Sequence, residues 1–65
     1  MEVTLNKDKV SIAENTTILE LLHEKGYNDM IAIFINGKQL LQKEYENHVL
    51  KENDIIKVIR ILGGG

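Results

Sequence analysis

A two-layer α+β domain, one helix packed on one mixed sheet, is the fold class that this 65-residue sequence predicts. Three observations carry the prediction. Apolar residues alternate with polar ones in several short runs, the period of half-buried strands. Only "TTILELLHEKG" has the i, i+3, i+4 spacing of an amphipathic helix. The runs follow the order strand, strand, helix, strand, short strand, strand, so a single helix stripe has one sheet face to cover.

The elements follow in chain order. In "MEVTLN" Met1, Val3 and Leu5 alternate with Glu2, Thr4 and Asn6. "NKDK" supplies turn residues and "KVSIA" resumes the alternation, so the first thirteen residues predict a hairpin. Thr17 and Glu20 form a capping-box pair, in which each side chain satisfies a backbone N–H left free at a helix start. Ile18, Leu21 and Leu22 then make the buried stripe, and Gly26 stands where a left-handed residue ends a helix. In "MIAIFING" Ile31, Ile33 and Ile35 share one face, and Asn36–Gly37 favours a tight hairpin turn because both tolerate positive φ. "KQLL" is a short partner strand. "QKEYENHVL" predicts a loop with one helical turn that carries Tyr45, Val49 and Leu50 inward. "KEND" turns the chain again, and "IIKVIRIL" is the last strand, running straight into Gly63, Gly64 and Gly65.

Composition limits the function classes. A chain this short buries only about 60% of its unfolded surface, so its stability margin is thin. There is no cysteine, and His23 and His48 lack partners at metal-ligand spacing, so the core rests on the 43% of hydrophobic residues. His23, near Glu20 and Glu24, belongs to a solvated helix face. No apolar run approaches the roughly 18 residues of a membrane span, and no signal-peptide pattern is present; a soluble cytoplasmic protein is the expectation. The net charge of -2, with lysines interleaved among acids, argues against nucleic acid as partner. Lys7, Lys9, Lys38, Lys43, Lys51, Lys57 and Arg60 are mostly solubilising charges, available to steer the chain toward an acidic partner. No Gly-rich phosphate loop, nucleophilic cysteine or compact carboxylate cluster is present. The pattern is that of a protein acted upon, not of an enzyme.

The element order matches the β-grasp, or ubiquitin-like, roll: a mixed four- to five-stranded sheet with one main helix on one face. In that topology the last strand lies centrally beside the first, so residues 1–62 form the domain and launch a flexible tail, 63–65, from the best-anchored strand. "TTILELL", "IAIFING", "LKENDIIKVIRIL" and the terminal Gly64–Gly65 together resemble the ThiS/MoaD-like family of ubiquitin-like sulfur carriers, and most closely its thiamine-biosynthesis (ThiS) branch. The resemblance spans essentially the whole chain.

The resemblance implies a carrier chemistry. The carboxylate of Gly65 would be adenylated on a ThiF-like adenylyltransferase that uses ATP and Mg²⁺, the chain itself binding no cofactor. Sulfur from a persulfide donor would then displace AMP and leave a thiocarboxylate, which thiazole synthase consumes. Slim, extendable glycines suit a narrow enzyme channel, and three extended residues reach about 10 Å beyond Leu62. Gly63 and Gly64 are therefore the threading residues and Gly65 the reactive one. Two departures from the family pattern bear on the pathway. The usual "DGD" before the last strand is "END" at Glu52–Asp54, and the proline and tryptophan common after the central hairpin are absent. A molybdopterin carrier shares the tail, and a ubiquitin-like modifier joined through Gly65 to target lysines shares the adenylation. Viewed alone, terminal glycines are also what a frayed end looks like.

One surface follows from the strand alternation. If Ile33 and Ile35 face the helix, Phe34 faces outward; if Ile56 and Val58 face in, Ile59 and Ile61 face out. Phe34, Ile59 and Ile61 are then an apolar docking patch beside the tail's exit, unless a loop covers them or the registers are reversed.

Overall fold

The computed structural model describes residues 1–27 and 30–61. Strands β1 (Glu2–Leu5) and β2 (Asp8–Ser11) precede helix α1 (Ile18–Lys25). Strands β3 (Ile31–Ile35) and β4 (Lys38–Leu40), a 3₁₀ turn (Gln42–Glu44) and β5 (Ile55–Arg60) complete the order. The five strands form one sheet in the order β2-β1-β5-β3-β4. β5 is central, parallel to β1 through Thr4↔Ile55 and Leu5↔Ile56 and antiparallel to β3 from Ile31↔Arg60 to Ile35↔Ile56. This is the β-grasp arrangement, with five strands where four to five were expected.

Local chemistry accounts for each reversal. The β3–β4 hairpin turns on Asn36 (φ 52°) and Gly37 (φ 85°), both in the left-handed region that matches the twist of the flanking strands. Asn6 at φ 57° reverses the first hairpin. α1 begins with the predicted capping box. The Glu20 backbone N donates to Thr17 Oγ1 at 3.2 Å, and Glu20 Oε1 accepts from the Thr17 backbone N at 2.8 Å. The Thr17 backbone N–H first, and then the Thr17 hydroxyl, which donates to Glu20 Oε1 at 3.1 Å, hold the Glu20 carboxyl below its ordinary pKa. Gly26 closes the helix at φ 77°, its N–H reaching back to the last turn.

One face of the sheet and one stripe of the helix make the core. Val3, Ile18, Leu21, Ile33 and Ile56 are almost fully buried, with Leu22, Tyr45 and Leu50 joining them. Each such aliphatic side chain contributes about 1.5–3 kcal/mol relative to exposure. The expectation for Val49 was wrong: it is 46% exposed while Leu50 is buried. Residues 48–50 run extended along the start of α1. Ile18 N donates to His48 O, Leu50 N donates to Thr16 O, and Val49 bridges Thr17. Neighbours on extended backbone point to opposite sides, so Val49 and Leu50 cannot both turn inward.

In the turn into β5, Asn53 takes φ 69°. Asparagine visits that region more readily than other side-chain-bearing residues. The Asn53 backbone N donates to Glu2 O at 2.8 Å, and Glu2 N donates to Glu52 Oε2 at 2.6 Å, so β1 holds the turn in place.

Candidate functional site

The candidate site is built on β5, the last strand, which lies between β1 and β3. Three polar side chains, Asp54, Asn36 and Asn6, fasten it. Asp54, buried just before the strand, accepts from Lys51 N at 2.8 Å through Oδ2 and from Asn36 Nδ2 at 3.0 Å through Oδ1. Asn36 in turn accepts from Ile55 N at 2.9 Å, and its own N–H donates to Ile55 O at 2.8 Å. On the other side, Asn6 Oδ1 accepts from Val58 N at 2.9 Å, continuing the ladder where β1 stops. Asn6 and Asn36 both need φ > 0 for their turns and both use the amide to grip β5. Among the described residues no buried side-chain polar atom is left without a partner.

The pairing continues to Ile61, whose N–H donates to Met30 O at 3.0 Å. The register sorts the side chains. Ile56, Val58 and Arg60 stand opposite Ile35, Ile33 and Ile31, on the helix side. Lys57 and Ile59 stand opposite Phe34 and Ala32, on the outer face, and Ile61 continues the same alternation. Ile59 is 42% exposed and Ile61 is 53% exposed. Phe34 lies on the same face, half-buried, with Lys57 and Gln39 as its cross-strand partners. Long polar stems of that kind cover part of an aromatic ring while their heads stay in water. Phe34 is diagonal to Ile59, a spacing within reach of an aromatic ring. The strand registers are thus the ones the alternation predicts.

Two residues of this face were not singled out from the sequence. Met30, beside Ile61, and Ile55, at the start of β5, are both more than half exposed. The period-two signal was there, since Met30 alternates with Ala32 and Phe34, and Ile55 with Lys57 and Ile59. The Asn36–Asp54 contact had no such signal. The domain boundary at residue 62 and the tail residues Gly63, Gly64 and Gly65 lie outside the described residues.

Other surfaces are poorer in chemistry. An open groove between α1 and the 3₁₀ turn is lined by Leu19, Leu22, His23, Tyr27, Lys43 and Tyr45. Burial raises the Tyr45 pKa above the ordinary 10.0, against a backbone hydrogen bond with Ile33 that lowers it. Among the described residues no three His, Cys, Asp or Glu side chains gather where a metal could sit. Nor is any helix among them long and apolar enough to cross a membrane.

Among the described residues, five strands and one helix in this order define a ubiquitin-like β-grasp protein, its central strand followed in the sequence by a run of glycines. The chain belongs to the ThiS family, whose model matches residues 1–65. Its fold is similar to a crystal structure of the thiamine biosynthesis protein ThiS from Geobacter metallireducens, with a TM-score of 0.86 at 23% identity over 100% of both chains. A solution structure of a thiamine biosynthesis protein from the same organism aligns with a TM-score of 0.78 at 25% identity, covering 100% of this chain and 88% of that one. No protein of curated function matches the chain.

Proposed function

We propose that this protein is a sulfur carrier of thiamine biosynthesis, working through a thiocarboxylate at Gly65 and catalysing no reaction itself. The observation that carries the reading is the family match over residues 1–65, in a fold whose central strand is followed in the sequence by the terminal glycines.

The chemistry falls to the Gly65 carboxylate because no cysteine is present to hold a persulfide. A carboxylate is a poor electrophile. On a ThiF-like adenylyltransferase one of its oxygens attacks the α-phosphorus of Mg²⁺-bound ATP, and pyrophosphate leaves. A donor persulfide then attacks the acyl carbon, AMP departs, and thiol cleavage of the resulting acyl disulfide leaves sulfur on Gly65. Thiazole synthase takes that sulfur. Gly63 and Gly64 thread the partner's channel without side chains. Met30, Phe34, Ile59 and Ile61 are the face against which the enzyme rests, and the clamp of Asn6, Asn36 and Asp54 gives β5 a fixed base.

Intact-mass spectrometry tests the reading. Incubation with ATP, Mg²⁺, the adenylyltransferase and a sulfide source is expected to exchange one C-terminal oxygen for sulfur. Removing Gly65 abolishes the exchange, because it retracts the carboxylate by about 3.5 Å and reaction geometry tolerates displacements of only about 1 Å. Isopeptide conjugates to lysines, with no sulfur gained beside an active enzyme, would replace the carrier by a ubiquitin-like modifier.

A further inference from the structure

Of the six asparagines in the chain, only Asn36 is followed by glycine. A glycine successor has no side chain to keep its backbone nitrogen away from the asparagine amide carbon. Here both residues are exposed, and a methyl group built on Gly37 would meet nothing within 4 Å. The neighbourhood therefore neither blocks ring closure nor excludes water. What opposes the reaction is the hydrogen bonding of the amide itself. Nδ2 is held by Asp54 Oδ1 at 3.0 Å, and Oδ1 is held by Ile55 N at 2.9 Å.

We propose that Asn36 is a site of spontaneous deamidation, restrained by the Asp54–Ile55 clamp, and that its conversion releases the base of β5. The Gly37 nitrogen attacks Cγ of Asn36, the N–Cγ bond forms and the Cγ–Nδ2 bond breaks. Ammonia leaves with the proton that Gly37 gave up, and a cyclic imide remains. Water then opens either C–N bond of the imide, giving aspartate or isoaspartate at position 36. No oxidant, reductant or enzyme enters the balance.

Either product damages the same contact. Both lose the Nδ2 donor to Asp54. The aspartyl product sets a second carboxylate in its place, so an attraction becomes a like-charge repulsion, while the isoaspartyl product routes the backbone through Cγ and frees the former backbone carboxyl. The isoaspartyl product also adds a methylene to a two-residue turn whose backbone is set at φ 52° and 85°. In the native turn the amide carbon cannot swing onto the Gly37 nitrogen until both side-chain bonds break. The rate is therefore governed by local opening of the hairpin. The tail strand would thus lose its anchor with age, through a reaction stored in the turn beside it.

The protein alone suffices for the test, so failure here leaves the carrier reading untouched. The full chain is held at mildly alkaline pH and physiological temperature in heavy-oxygen water, folded or in urea, and mapped by peptide mass spectrometry. Conversion is expected at Asn36 ahead of the other five asparagines, as a mixture of aspartyl and isoaspartyl peptides. It is expected to run at least about tenfold faster in urea, the factor that about 1.4 kcal/mol of clamping gives. Asp54→Ser is expected to accelerate it in buffer; should that variant not fold, the wild-type comparison with urea decides. Purified converted protein is expected to exchange the Ile55 and Lys51 amide hydrogens faster than wild type. Equal rates folded and unfolded, or preferred conversion elsewhere, overturns the clamp. Unchanged exchange at Ile55 after conversion overturns the release of β5.

Discussion

Ile59→Asp isolates the proposed docking face from the stability of the fold. Ile59 lies on the outer face opposite Ala32, with 42% of its surface exposed, whereas the Phe34 nearby is half-buried. Aspartate at Phe34 would mix lost packing with lost docking; at Ile59 the two separate better. The folded state loses the β preference of isoleucine, about 1 kcal/mol. A partner that covers the exposed two-fifths of the side chain gains roughly 1 kcal/mol, from the 1.5–3 kcal/mol of a full aliphatic burial. Aspartate forfeits that and adds the cost of desolvating an unpaired carboxylate, at least a further 1–2 kcal/mol. Together these predict a loss of about 2–3 kcal/mol, or roughly 30- to 150-fold in Kd. The assay is calorimetric titration against the ThiF-like adenylyltransferase, with urea unfolding of both proteins in parallel. Ser11→Asp brings the same charge to β2, two strands away, and is expected to bind as wild type. An unchanged Kd for a folded Ile59→Asp protein refutes the docking role of this face. If Ile59→Asp unfolds, the same comparison with Ile61→Asp decides, since Ile61 lies past the end of β5.

Two further outcomes test the anchoring of the strand and the core. Asn53→Ala is expected to cost about 1 kcal/mol because alanine is strained at φ 69°, whereas Asn53→Gly is expected to stay within about 0.5 kcal/mol; urea midpoints with an unchanged slope read both, and equal effects would remove the left-handed turn from the account. The raised Tyr45 pKa means that the folded state holds its proton more tightly than the unfolded chain, so this stability is complete below pH 10.0 and falls as pH rises through the higher folded value. Tyr45→Phe is expected to flatten that alkaline decline in thermal unfolding, and a variant that declines as steeply as wild type would assign the loss to other groups.

Much of this protein was legible in its sequence because its local signals act over two to four residues. Thr17 and Glu20 announced their capping box, Asn36–Gly37 its hairpin, and the alternation of "IAIFI" and "IIKVIR" the two faces of the sheet. Those signals depend on backbone geometry that neighbours impose on each other, so they survive without knowledge of the fold. Phe34, Ile59 and Ile61 came out of the same alternation, and the register of β3 against β5 puts them on one face. Tertiary structure decided the rest. Val49 turned outward because residues 48–50 lie along the start of α1, a pairing across some thirty positions. Asp54 became buried because Asn36, eighteen positions earlier, meets it across the sheet. Asn6 grips Val58, fifty-two positions later, only because β1 and β5 are brought side by side. Such contacts carry no periodic trace, since they form only where the chain's apolar faces have already been folded together.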